Sequence, residues 1–288
     1  MSQTAARGVL AMFIAAAAFS FMDALLKLFA AHYPPLQVSA IRALASLPFV
    51  VAPLAWRGRL GELRPTRVWP HLLRGLLGVV MLSTFIFALR GQSIADVYAI
   101  YMAAPLLIVA LAALLLGEHV DLGRWLAILA GLAGVLVILQ PGASGLERVA
   151  GLAAVGSAFC YALVAILART MTRTESSPAM VFSFLLVAAV VCGALSLPNW
   201  VTILSAHWPL ILAVGILGTI GQHAITEAFR YAPASTVAPI EYTALLWGMS
   251  IDWVFWDTTP STAMLLGAAL VVSAGLYVVW RENQVKSG

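Results

Sequence analysis

Two carboxylates, Glu241 and Asp252, stand eleven residues apart in one long apolar run. That spacing is about three helical turns, so both share a face with Leu245 and Gly248. A second set, Thr219, His223, Glu227 and Arg230, follows at spacings of four, four and three and forms one helical stripe. A third lies near the N-terminus, where Asp23 and Lys27 stand at i and i+4 with Phe19 on the same face, and Arg42 follows in the next apolar run. Acids, bases and a histidine inside apolar runs suit binding rather than bond-breaking. A carboxylate in a low-dielectric place takes an ammonium or a proton, and a guanidinium or ammonium takes a carboxylate. For Asp23 and Lys27 the alternative is an intrahelical pair, and for Lys27 and Arg42 it is snorkelling to the interface. For Glu241 it is a structural pairing with a cation such as Arg230 or with backbone amides near Pro239.

Aromatic and hydroxyl side chains accompany these charges. Tyr101, Met102 and Pro105 share a broad face of one run, where the proline removes a backbone hydrogen bond and is expected to bend the helix. Phe159 and Tyr161 occupy the place in the second half that Phe19 and Phe21 occupy in the first. Ser83 is the counterpart of His223, and its hydroxyl bonds either a ligand or its own backbone. Tyr242 is adjacent to Glu241. The candidate substrate-binding set is therefore Phe19, Asp23, Lys27, Arg42, Ser83, Tyr101, Met102, Phe159, Tyr161, His223, Glu241 and Tyr242. No catalytic residue, metal ligand set or cofactor is called for.

The elements that carry these residues are membrane spans. Of 288 residues 62% are apolar and 10% charged, and the mean hydropathy is +0.97. A soluble domain does not have this composition. The apolar runs do not alternate, which excludes an outer-membrane barrel. The net charge of +4 forms no basic stripe, so no nucleic-acid partner is expected; the partners are the lipid bilayer and a small-molecule substrate, with a monomer as the simplest state. Ten spans are expected, at about 8–31, 36–56, 72–89, 95–116, 124–140, 150–169, 179–197, 209–229, 235–256 and 262–280. With the N-terminus in the cytoplasm, the inner segments hold twelve Lys and Arg against Arg90 and Arg148 outside, so both termini are expected in the cytoplasm. The inner-membrane, multi-pass location follows.

The chain also repeats itself. Ala88-Leu89-Arg90 matches Ala228-Phe229-Arg230 at an offset of 140, and the same offset pairs Val97 with Val237, Ile100 with Ile240, Ala104 with Ala244 and Leu106 with Leu246. Near that offset, Leu115-Leu116-Gly117-Glu118 faces Val254-Phe255-Trp256-Asp257, and Gly134 matches Gly275. The expected units are residues 1–143 and 144–288, five spans each; five is odd, so the second enters the membrane inverted.

Ten helices in two inverted halves, the Gly117-Glu118 pair ending the fourth span, a Gly-rich fifth span and the run from Ala238 to Trp247 resemble the EamA branch of the drug/metabolite transporter superfamily. The resemblance covers nearly the whole chain. It implies an alternating-access carrier, and length and layout are similar to bacterial exporters of aromatic and other neutral amino acids. Carriers of a vitamin, a nucleoside-like compound or a toxic cation are the alternatives. Searches for other chemistry come up empty: no G-x-x-x-x-G-K-[ST], G-x-S-x-G, H-E-x-x-H or C-x-x-C occurs, so neither an ATPase nor an intramembrane hydrolase or redox site is indicated.

Overall fold

The computed structural model describes residues 3–117, 120–139, 145–171, 174–232 and 239–287, and in these every regular element is a helix. They are α1 (Gln3–His32), α2 (Pro35–Trp56), α3 (Val68–Gly91), α4 (Ile94–Tyr101), α5 (Ala104–Leu116), α6 (Leu122–Leu139), α7 (Gly145–Met171), α8 (Ser177–Ser196), α9 (Trp208–Tyr231), α10 (Thr243–Trp256) and α11 (Thr262–Ser287). Among the described residues nine helical stretches are long and apolar enough to cross a membrane. The expected ninth span begins at residues 235–238, outside the described residues; its described part is helical at 239–241, turns at Tyr242 and continues as α10. The expected boundary between units at 143/144 also lies outside them, as do Glu118 and Arg173.

Packing follows a two-way exchange. α1 runs along α9 and α3 along α7; α2 packs on α8, and α6 on α11. The α6–α11 contact is set by small residues. A Cβ on Gly134 would sit 2.7 Å from the Gly267 carbonyl oxygen, and one on Gly267 would sit 2.5 Å from that of Gly134. The two backbones therefore touch, as small residues at four-residue spacing permit.

Two elements depart from the expected continuous rods, and both do so beside a proline. The fourth span breaks at Met102–Ala103 into α4 and α5, and Pro105 lands in the first turn of α5, where its missing N–H costs nothing. The ninth span breaks at Tyr242, three residues after Pro239. Positions 102 and 242 are related by the 140-residue offset. The same offset relates the helix ends: Gly117 closes α5 at φ 67° and Asp257 closes α10 at φ 49°, both left-handed. The structural partner of Gly117 is thus Asp257, one residue beyond the Trp256 to which the sequence comparison assigned it. Aspartate is among the few non-glycine residues that tolerate this conformation.

Candidate functional site

The crossing of α1, α2, α3, α4, α7, α8, α9 and the start of the ninth span leaves a cavity of about 660 Å³. Its wall carries two acids and two bases: Asp23 from α1, Arg42 from α2, Arg74 from α3, and Glu241 from the helical residues just before the turn at Tyr242. Among the described residues none of these four is ion-paired. Asp23 Oδ2 accepts a hydrogen bond from the Tyr98 hydroxyl at 2.8 Å, while its Oδ1 is covered and bonded to nothing. Rings fill the space between the charges. Tyr101 packs on Phe85 and Tyr161 at centroid distances of 5.4 and 5.2 Å, and Phe19, Phe49 and Phe184 complete the lining. Met102 reaches the cavity because the chain turns there, and Thr219, Gln222 and His223 face it from α9.

Of the residues expected from sequence, Phe19, Asp23, Arg42, Tyr101, Met102, Tyr161, His223 and Glu241 are brought together on this wall. Lys27, Ser83, Phe159 and Tyr242 are not. Lys27 Nζ bonds Asp252 Oδ1 at 3.0 Å and lies over the Trp256 ring at 4.6 Å, so neither the expected Asp23–Lys27 pair nor snorkelling describes it. Asp252, 1% exposed, uses its other oxygen to accept the Ala95 N–H at the start of α4 (2.8 Å). Ser83 Oγ sits in the α2–α3–α8 core, against Ser39 Oγ and Cys192 Sγ. Phe159 is 43% exposed beside a smaller apolar groove: it stands two residues from the cavity-facing Tyr161, and two residues turn a helical side chain by about 200°. The Tyr242 hydroxyl covers Gly275 on α11, occupying the place a Cβ would take. The side chain of Arg230 is outside the described set, so its expected pairing with Glu241 has no counterpart here.

Arg74, Ser20, Gln222 and Phe184 line the cavity and were not singled out in the sequence. Arg74 was counted as one of the cytoplasmic cations, since the third span was drawn from residue 72. α3 begins at Val68 and carries it into the bundle. The start of α3 also brings His71 into the bundle, where it is buried. His71 Nδ1 meets Ser183 Oγ and its Nε2 lies 3.2 Å from Glu175 Oε2.

The cavity is closed at one end and open at the other. At the end where α1 finishes and α2 and α9 begin, Tyr33 Oη meets His207 Nδ1 at 2.8 Å and accepts the Leu204 N–H at 3.1 Å. Gln37 clamps Val201 through both its amide groups, at 2.6 and 3.0 Å, and Phe29, Ala30 and Val38 are buried behind. The Lys27–Asp252 pair belongs to the same end. At the opposite end Gln222, His223 and Thr226 are exposed, which marks the mouth. There Glu175 lashes the segment before α3 to the segment before α8. Burial would raise its pKa, but the N–H groups of Thr66 (2.8 Å) and Arg67 (2.9 Å) and the His71 ring prevail and hold it at about 2. Across the mouth end, Asp121 is held below the usual carboxylate range, first by the Arg281 hydrogen bond and then by the Arg124 N–H.

Comparison with known proteins places this architecture. The EamA-like transporter family model matches twice, over residues 6–140 and 148–280. A riboflavin transporter of Rhizobium johnstonii is 30% identical over 240 residues, 83% of this chain and 78% of that one. A pseudopaline exporter of Pseudomonas aeruginosa is 27% identical over 268 residues, 93% of this chain and 94% of that one. An S-adenosylmethionine uptake transporter of Rickettsia prowazekii is 25% identical over 241 residues, 84% and 80% of the respective chains. A crystal structure of 22% identity superposes with a TM-score of 0.66 over 96% of this chain and 98% of that one, which shows the fold.

Proposed function

As the chain belongs to the EamA-like transporter family, we propose that it is a secondary carrier moving one small amphiphilic metabolite across the bacterial inner membrane by alternating access around this cavity. The observation that carries the reading is the set of four charges on one wall that form no ion pair among the described residues. A charged side chain in the hydrocarbon region costs about 3 kcal/mol or more unless it is paired or wetted. Lys27 and Asp252, off the cavity, form a contact ion pair; among the described residues Asp23, Arg42, Arg74 and Glu241 form none. A wet cavity that receives a cargo bearing both signs of charge resolves that cost. Arg42 takes an anionic group, Glu241 an ammonium, and Phe19, Tyr101 and Tyr161 stack on a flat apolar part.

We read the whole chain as ten spans in two inverted halves, residues 1–143 and 144–288, with both termini cytoplasmic. The twin helix breaks at 102 and 242, the twin left-handed ends at 117 and 257, and the two-way packing of helices support this. The mouth then faces the cytoplasm and the Gln37–Val201, Tyr33–His207 and Lys27–Asp252 contacts form the outer seal. Export of a neutral aromatic amino acid fits the rings and charges. A volume of about 660 Å³ also admits larger cargoes of the kinds named for the relatives, and a larger amphiphile fills it better.

Solute counterflow in proteoliposomes tests the carrier reading with labelled tryptophan, phenylalanine, riboflavin and S-adenosylmethionine. A carrier accumulates label transiently against a preload of the same compound. Downhill flux with no stimulation by the preload identifies a channel and contradicts the proposal.

A further inference from the structure

Arg74 is held in a way that leaves one edge of its guanidinium unused. Nη1 donates to the Met180 carbonyl in the first turn of α8 at 2.8 Å. The guanidinium carbon lies 5.0 Å from the centre of the Phe184 ring, one turn further along α8. Phe184 reaches that place because position 78, one turn along α3 from Arg74, is glycine: a Cβ there would lie 2.1 Å from Phe184 Cε2. Stacking fixes the plane and the carbonyl fixes the rotation. Among the described residues the covered Nε–H meets no acceptor, and Nη2 makes no bond. An arginine oriented in this manner presents the planar fork that carboxylates and phosphates occupy with two parallel hydrogen bonds.

An acid of the protein's own would be the ordinary partner. Glu175, at this end of the bundle, is already committed: Oε1 accepts the Arg67 N–H, and Oε2 the Thr66 N–H beside the His71 ring. Glu62 is taken by Arg59. Among the described residues no carboxylate pairs with Arg74.

We propose that the Nε/Nη2 edge of Arg74 is a docking site for a carboxylate or phosphate group of the cargo, at the mouth of the cavity and separate from the Asp23 and Arg42 region deeper in. It rests on the carrier reading and narrows the cargo to a molecule with an acidic group set apart from its other charge. Lysine at position 74 keeps the charge and can reach the Met180 carbonyl, but has no fork.

Binding to the purified full-length protein in maltoside, free of lipid phosphate, tests the assignment. The probes are matched pairs: 1-naphthyl phosphate against 1-naphthol, and 3-phenylpropionate against 3-phenylpropanamide. In the wild type at least one anion binds about tenfold or more tightly than its neutral partner. In R74K the preference falls to about twofold or less with an unchanged melting temperature, as expected when a bidentate contact becomes a point charge. The pair that responds tells carboxylate from phosphate. In the wild type itself, the preferred anion slows modification of Arg74 by phenylglyoxal, a readout that needs no variant. No preference for either anion in the wild type, a preference retained in R74K, or no protection of Arg74 overturns the assignment. If it falls while wild-type counterflow proceeds, the carrier reading stands; if counterflow fails while the Arg74-dependent preference holds, the carrier reading falls alone.

Discussion

Charged residues inside this bundle divide by partner rather than by type. Lys27 and Asp252 are each other's counterion, and Glu175 is saturated by two backbone N–H groups and a histidine. Asp23 and Glu241 share the same chemistry and, among the described residues, form no contact ion pair. Glu175 lends itself to a pH test. Its carboxyl is held at about 2 against an ordinary 4.5, so the folded state favours the anion. That contribution to stability is complete above pH 4.5 and is lost as pH falls through about 2. Glu175→Gln should lower the melting temperature in detergent at neutral pH, and the gap to wild type should close between those two values. A gap unchanged across that window would mean that the carboxylate is not the stabilising form. At this scale the sequence showed which charged residues lie in apolar runs and was poor on their partners. Asp23 and Lys27 sit one turn apart, yet each finds its partner on another helix, and only tertiary packing decides that. Arg74 was lost because a helix start four residues earlier than expected moved it from the loop side to the cavity wall.

Prolines and glycines at the helix scale set where rods bend and where they touch. The breaks at Met102 and Tyr242 release backbone groups at mid-depth, as broken helices do beside the sites of secondary transporters. Pro105 pointed to the first of these; the position of the break, three residues before the proline rather than at it, required the structure. Gly134 and Gly267 let the backbones of α6 and α11 touch. Gly267→Ala places a Cβ 2.4 Å from Ile138 Cγ1 and should cost about 1–3 kcal/mol, read as a lowered melting temperature with transport little changed. The seal behaves oppositely. Lys27→Met leaves Asp252 buried without its cation, at a cost of about 3–5 kcal/mol, and Lys27→Met with Asp252→Asn should regain much of it, because asparagine still accepts the Ala95 N–H. If the pair is part of the outer seal, the double variant leaks a bound cargo outward faster than wild type in stopped-flow release. Equal release rates would remove it from the seal.

For the molecule as a whole, a wall of unpaired charges is tolerable only where water and cargo replace lipid. The apolar runs and the 140-residue offset were enough to expect a two-unit helical membrane protein, and the double family match agrees. Cargo identity was not legible, since eight of the twelve expected site residues meet at a cavity whose rings and mixed charges suit many amphiphiles. The most direct measurement compares counterflow, for whichever tested cargo the wild type moves, across three variants in proteoliposomes. Asp23→Asn and Glu241→Gln remove unpaired cavity charges, and Asp121→Asn removes a paired charge outside it. The account predicts that the first two lose about tenfold or more in rate, the size expected for a lost charged hydrogen bond, while Asp121→Asn stays near wild type. Wild-type counterflow in both Asp23→Asn and Glu241→Gln would contradict it.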